Sequence, residues 1–430
     1  MPGTRSLRRE RAILVGLCPS KRDRFEVEEH LEELGELAET AGAVVVGSTI
    51  QDRGPIDPST LIRRGRVSQL AELAREKNAN LVLFDNDLSP AQARNLEKAL
   101  PVRVLDRSTL ILDIFARRAR SREARTQVEL ARLRYLLPRL TRRWGHLSRQ
   151  DGGIGQRGVG EKQLEIDRRL VRHRIGRLAS DLKRIELERG ERRKGRSGAS
   201  RVALIGYTNA GKSTLFNLLT GAGAFVEDRL FATLDPLVRR CEHAGGPPFL
   251  VIDTVGFIRK LPHHLVASFR STLEEAVDAN LLLQVVDTSS HALEDHLRTT
   301  DVTLRDLDLS DRPRLLVFNK IDRAPEGLLS RLRTEHPEAI FMSALDNSFV
   351  DVLAEAVRLK LGEDLIEETI AIPSDEPDLL ARLCTLVRVM HSVVVDGHIE
   401  VRFRARPAQR ARIARLLREA GVRGTEGGAS

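Results

Sequence analysis

GYTNAGKST, residues 206–214, follows the apolar run VALI (202–205) and leads into STLFNLLTG (213–221). An apolar strand, a turn with two glycines and an apolar helix in that order form the setting of a phosphate-binding loop, whose spacing is met by Gly206, four residues, Gly211, Lys212 and Ser213. The glycines let the backbone wrap, so that amides from Asn209 through Gly211 and on to Thr214 face an anion, and the helix start adds partial positive charge. Lys212 suits the β and γ oxygens of a nucleotide, and the Ser213 hydroxyl suits Mg²⁺. The stretch therefore predicts an α/β fold built around a polyphosphate site.

Two further strand ends supply matching chemistry. FLVIDTVGF (249–257) places Asp253 where its carboxylate can hold Mg²⁺ through water, followed by Gly256, whose N–H can reach a γ-phosphate. LLVFNKID (315–322) ends in Asn319, Lys320 and Asp322. The Asp322 carboxylate accepts two hydrogen bonds, which matches the N1–H and N2–H₂ donors of guanine and no edge of adenine. Ser343 and Ala344, after the strand AIFM, complete the base pocket with a backbone N–H for guanine O6. Together these elements resemble the G domain of translation-factor-like GTPases, which implies GTP and GDP as ligands and Mg²⁺ as cofactor. In that resemblance Thr233 of FATLDP (231–236) is the mobile switch residue that closes over the γ-phosphate and Mg²⁺, and Lys212, Thr233 and Gly256 are the catalytic set.

At 430 residues, 41% apolar and 30% charged, the chain predicts several soluble domains rather than one core. No apolar run approaches the roughly 20 residues of a membrane span, so a cytoplasmic monomer is expected. Cys18, Cys241 and Cys384 are odd in number and far apart, which suits buried thiols in a reducing compartment. The formal charge of +9 is unevenly spread: residues 117–149 hold eleven arginines against Glu123 and Glu129, and a second basic stretch spans 168–196. Such clustering is the footprint of a nucleic-acid partner.

Upstream of the phosphate loop, short apolar runs alternate with helical patterns from RAILVGL to VRVLD, predicting a parallel sheet with helices on it over residues 1–118. Ser89 and Pro90 read as a helix N-cap and first turn. Residues 119–197 carry two leucine-rich helical stripes, Leu130 through Leu140 and Leu164 through Ile185, the second passing through Leu170 or Val171. They predict an antiparallel helical hairpin with a glycine-rich loop at 150–163. Gly153, Gly155 and Gly158 permit close approach of backbone to RNA, and Arg149 and Arg157 supply charge. The G domain is expected at 198–364, its strand beginning PPFLVID placed at a sheet edge. A small α+β domain is expected at 365–424, with a helix from Asp375 to Val389 and a hairpin at Asp396-Gly397.

GYTNAGKST, LFATLDP, DTVGF and NKID, preceded by VLDRSTLILDIFARRARSREARTQVELARLRYLLPRL and GGIGQRGVGEKQLEIDRRL, resemble the HflX family over nearly the whole chain. The resemblance implies an N-terminal α/β domain with the hairpin, a P-loop G domain and a small C-terminal domain. It also implies a Mg²⁺-dependent GTPase that binds the 50S subunit and its 23S rRNA and splits stalled or idle 70S ribosomes under stress, with the glycine-rich loop toward the peptidyl transferase centre. Asn209 matches the loop asparagine that ligates K⁺ in related potassium-stimulated GTPases. Where Ras-like proteins carry a water-orienting glutamine this chain has Phe257, so the water must be held otherwise. LIRRGRV (61–67) departs from the family's Gly-Lys-Gly-Lys element, with Arg63 in place of a glycine. The competing readings are a nucleotide-stabilised RNA-binding adaptor and a GTPase of ribosome assembly or tRNA modification.

Overall fold

The computed structural model describes residues 10–18, 20, 24–52, 56–140, 159–194, 200–223, 230–242, 248–260, 278–363, 366–374, 376, 379–380, 382–383, 387–395, 397–405 and 413–418. The first unit alternates β1 (Arg11–Cys18), α1 (Arg24–Thr40), β2 (Val44–Asp52), α2 (Arg64–Glu76), β3 (Leu81–Phe84), α3 (Pro90–Ala99), β4 (Arg103–Asp106) and α4 (Arg107–Arg118). Its four strands are parallel in the order β2-β1-β3-β4. Alternate strand residues serve opposite faces: Ala12, Leu14, Leu81 and Leu83 pack with α1 and α4, while Ile13, Val15, Val82 and Phe84 pack with α2 and α3. Ser89 caps α3 through a reciprocal pair with Gln92, and Pro90 opens its first turn, as expected. Arg63 precedes α2 in ordinary extended geometry (φ −65°) and donates its N–H to Gln51, so no glycine is required there.

α5 (Arg122–Leu136) and the long α6 (Val159–Lys194) pack together through Leu130, Leu178 and Leu182, with Leu133 and Ile175 beside them. Arg168 reaches the Leu140 carbonyl while Arg174 forks onto Glu129, so α6 advances as α5 retreats and the pair is antiparallel. Leu170 is 61% exposed and Val171 is half-buried, so the second stripe runs through Val171. Of the glycine-rich loop expected at 150–163, residues 150–158 lie outside the described residues, as does Arg149, and with them Gly153, Gly155, Arg157 and Gly158; residues 159–163 are not loop but the opening of α6.

The central unit contains β5 (Ser200–Ile205), α7 (Lys212–Thr220), β6 (Leu237–Cys241), β7 (Phe249–Asp253), β8 (Leu281–Asp287), α8 (Leu293–Asp306), β9 (Arg314–Asn319), α9 (Glu326–Glu335), β10 (Ile340–Phe341) and α10 (Val350–Glu363). The sheet order is β10-β9-β8-β5-β7-β6, with only β6 antiparallel. β7 therefore lies inside the sheet rather than at its edge. Pro248 precedes the first ladder residue, Phe249, so no proline removes a ladder hydrogen bond and β6 can pair along β7. The chain leaves β5 toward β6 and β7 on one side and toward β8, β9 and β10 on the other. The carboxyl ends of β5, β7 and β9 thus meet at a topological switch point, where open α/β sheets bind ligands.

A third sheet of β11 (Ile366–Pro373), β12 (Arg388–Val395) and β13 (His398–Ala405) is antiparallel in the order β11-β13-β12, with Gly397 at φ +76° in the turn. Ile370, Ile372, Val401 and Phe403 pack under Leu379, Leu383, Ile413 and Leu416. The helix expected to reach Val389 stops short of it, because Arg388 already pairs with Arg404 in the ladder. Among the described residues no helix is long and apolar enough to cross a membrane.

Candidate functional site

The loops after β5, β7, β9 and β10 are tied to one another by main-chain bonds and by the side chain of Asn319. Phe257 N donates to Gly206 O at 3.0 Å and Thr208 N to Phe257 O at 2.8 Å. Asn319, 2% exposed, donates its amide to Ala210 O at 2.9 Å and accepts from Ala344 N at 2.8 Å, clamping the phosphate loop to the loop after β10. Three glycines of these loops are sterically required. Gly206 has φ +136° and a Cβ there would strike the Val285 carbonyl oxygen. Gly211 has φ +93° and any Cβ would strike the Asn319 amide; a Cβ on Gly256 would lie 2.7 Å from Thr208 Cα and 3.0 Å from Lys212 Nζ. Between these loops lies a cavity of about 250 Å³.

Lys212 is buried at the start of α7, its ammonium donating to Gly206 O at 3.1 Å and Tyr207 O at 2.5 Å. Burial, and secondarily the charge of Lys320, pulls its pKa down to about 8. Opposite it, Asp253 Oδ2 accepts from the Ser213 hydroxyl at 2.7 Å and the Thr233 hydroxyl at 2.9 Å, and the two hydroxyls are 2.8 Å apart. Asp253 Oδ1 is buried with no partner among the described residues, and burial raises the carboxyl pKa. Two hydroxyls and a carboxylate converging on one point are hard oxygen donors, and the orphaned oxygen is one a divalent cation could engage, so this cluster fits Mg²⁺.

Of the residues expected from sequence, Asn209, Gly211, Lys212, Ser213, Thr214, Thr233, Gly256, Asn319, Lys320, Asp322, Ser343 and Ala344 line the cavity. Ala210 and Asp253 are fully buried behind its wall. Asn209 is exposed in the left-handed region at φ +59°. Lys320, also left-handed, pairs with Asp287 at 2.7 Å. The Ala344 amide serves Asn319, so in this arrangement it braces the loop rather than facing a base. Thr208, Phe231, Ala232, Thr254, Arg323 and Leu345 line the cavity as well and were not singled out; Phe231 and Ala232 stand in FATLDP, where proximity to Thr233 was the available signal. Phe257 is 3% exposed within a cluster containing Ile205 and Ile252, so its ring faces the core.

The first unit docks directly on these loops. Glu33 of α1, 7% exposed, accepts from Arg107 at 2.7 Å and from the Tyr207 hydroxyl at 2.8 Å on one oxygen, and from Arg259 at 2.9 Å on the other. Arg107 also pairs with Asp85 at 2.9 Å, and Lys260 pairs with the same carboxylate. Burial, then Glu33, pushes the Tyr207 phenol pKa up, which keeps it a donor. Tyr207 stacks on His296 at 3.7 Å; burial and Arg259 hold that imidazole down at about 4, hence neutral. Leu230, Phe231, Leu234, Val255 and Ile258 join the apolar core beneath α1 and α4. Nothing in the sequence joins Glu33 to residues 174 and 226 positions away.

Three family models match the chain: GTP-binding GTPase N-terminal over 28–116, GTP-binding GTPase Middle Region over 118–196, and 50S ribosome-binding GTPase over 201–320. The chain is similar to GTPase HflX of Chlamydia pneumoniae, 44% identical over 87% of this chain and 81% of the relative. It is similar to GTPase HflX of Escherichia coli K12 at 42%, over 87% of this chain and 89% of the relative. Among solved structures, a GTP-binding protein from the archaeon Sulfolobus solfataricus in complex with GDP is 25% identical, covering 82% of this chain and 99% of that one, with a TM-score of 0.43.

The Glu33 cluster makes a prediction about stability. Glu33→Ala leaves Arg107 and Arg259 buried with one anion fewer each, and should cost about 3–5 kcal/mol in urea unfolding of the full chain. A loss under about 1 kcal/mol, the range of an exposed pair, would show that the cluster is not a buried linchpin.

Proposed function

The chain belongs to the HflX GTPase family, and from that premise we propose that it binds GTP and GDP with Mg²⁺ in the cavity at the carboxyl ends of β5, β7 and β9, hydrolyses GTP, and couples nucleotide state to binding of the 50S subunit and separation of 70S ribosomes. The observation that carries the nucleotide reading is the convergence of Ser213, Thr233 and Asp253, with Lys212 across the cavity. Lys212 neutralises β- and γ-phosphate oxygens, and the amides of Gly211 through Thr214 surround them. Ser213 and Thr233 would hold Mg²⁺, with Asp253 supporting it through water, and the ion would supply positive charge to the phosphates. The Gly256 amide faces the γ-phosphate, and main-chain groups near it orient water in place of a glutamine. Asp322 selects guanine, Lys320 flanks the base, and Asn319 braces both loops, with Ser343 and Ala344 closing the pocket.

The arm of α5 and α6 supports the ribosomal partner. Arg122, Arg134, Arg169, Arg172, Arg177 and Lys183 are exposed along it, a density of positive charge suited to the phosphates of 23S rRNA. The family description of residues 201–320 as a 50S ribosome-binding GTPase agrees with that partner. A cytoplasmic monomer is the corresponding physical state.

Sedimentation of purified 70S ribosomes with the full chain tests this reading. With GTP or a non-hydrolysable analogue the chain should travel with 50S particles and free subunits should appear; with GDP it should do neither. Binding indifferent to nucleotide would mark an RNA-binding adaptor, and no binding would end the ribosomal reading. The base assignment has its own test. Asp322→Asn should lower GTP affinity by about a hundredfold or more, because a donor replaces an acceptor, and should improve xanthine nucleotide binding; unchanged preference for guanine would refute the role of Asp322. We assign Asn209 to K⁺ on its position in the phosphate loop. Turnover should then be about fivefold or more higher in K⁺ than in Na⁺ buffer, and Asn209→Ala should remove the difference; equal rates in the two salts would dismiss the cation.

A further inference from the structure

We propose that Asp235 is a positioning residue that couples the nucleotide site to the helical arm, an inference that rests on reading the cavity as a site for guanine nucleotide and Mg²⁺. Asp235 lies two residues beyond Thr233 on the same segment, and the two side chains hold opposite partners. Thr233 bonds Ser213 and Asp253 beside the cavity. Asp235 bonds the start of α5: its Oδ2 accepts from the backbone N–H of Arg120 at 3.0 Å and of Ser121 at 3.1 Å, and its Oδ1 accepts from the Ser121 hydroxyl.

Ser121 is itself the N-cap of α5, its hydroxyl oxygen accepting from Ala124 N at 3.0 Å. Donating its proton to Asp235 fixes the hydroxyl rotor so that an oxygen lone pair is turned to Ala124. One carboxylate from the switch segment thus satisfies two amides before the helix, fixes the capping hydroxyl, and sets negative charge at the positive end of the helix dipole. α5 is the first helix of the arm, and its far end packs on α6 through Leu130 and Leu133.

The connection between the two contacts is short and stiff. Only Leu234 separates Thr233 from Asp235, and it is 3% exposed. Phe231, on the other side, meets Phe115 of α4 edge-on at 4.5 Å and 74°. A displacement of Thr233 from Asp253 therefore either draws Asp235 off the helix start or carries that start with it. By reciprocity, whatever fixes the arm biases Thr233 toward the closed position.

The test uses the full chain with GDP or a non-hydrolysable GTP analogue, each with Mg²⁺, and two variants. Asp235→Ala removes the carboxylate. Ser121→Asp keeps a good N-cap for α5 but opposes Asp235 with like charge, so a helix that merely unravels is not the cause of its effect. In the parent, the amides of Arg120 and Ser121 should exchange hydrogen about tenfold more slowly with the analogue than with GDP, and Asp235→Ala should abolish that difference. Both variants should lower the ratio of analogue to GDP affinity by about five- to tenfold while leaving GDP affinity itself unchanged. Retention of the parental ratio within about twofold in both variants, or exchange at 120 and 121 that ignores nucleotide in the parent, overturns the coupling alone. A parent chain that retains neither nucleotide overturns the nucleotide reading and the coupling with it.

Discussion

The Glu33 carboxylate is the contact on which the arrangement of the molecule depends. Taking it and two guanidinium groups out of water costs several kcal/mol per ion, and the cost is offset only when every donor is in place. The donors come from three separate segments: Arg107 at the start of α4, Tyr207 in the phosphate loop, and Arg259 just beyond DTVGF. A shift of either unit by a single residue would strand at least one charge. The first unit is therefore held in one register against the very loops that line the cavity, where an apolar interface would tolerate sliding.

That register gives Phe257 a meaning that its residue type alone hides. Its ring belongs to the core, while its backbone bonds Gly206 and Thr208. The two residues after Ile258, Arg259 and Lys260, are anchored on Glu33 and Asp85 of the first unit. The loop carrying Gly256 is thus fixed at both ends, by the phosphate loop on one side and by the other unit on the other. A loop so held can present a main-chain group to water with little reorganisation, which is the property a mobile glutamine side chain supplies elsewhere.

Much of this was legible in the sequence, because the relevant signals are local. The strand-turn-helix around GYTNAGKST, the strand ends at Asp253 and Asn319, and the Ser89 cap are each written within a few consecutive residues. Twelve of the expected residues line the cavity for that reason. The strand beginning FLVID was misplaced at an edge because sheet order is a long-range property: an antiparallel β6 covers it, and the short LVRRC has too few residues to announce itself. The helix expected to run to Val389 failed because RVMH carries apolar residues at a spacing that both periods accept, and the ladder to β13 decided between them. The Glu33 cluster and the Asp235 cap were illegible in principle, since each joins residues from 74 to 226 positions apart through one or two hydrogen bonds per pair.

Electrostatics at the cavity point the same way as its geometry. Lys212 and Asp253 carry opposite charges, yet burial works against the ionised form of both: the ammonium is drawn down to about 8 and the carboxyl is pushed up. Their mutual attraction does not outweigh that burial. What relieves each is a partner of opposite sign at its own position, an anion against Lys212 and a cation against Asp253 and its two hydroxyls. A neutral ligand would relieve neither, and a simple anion only the first. A polyphosphate carrying a divalent cation satisfies both at once, at a point where the Thr233 hydroxyl is already bonded to Ser213 and Asp253. The chemistry of the buried pair thus selects the ligand class, and the Thr233 hydroxyl makes the switch segment part of the selection.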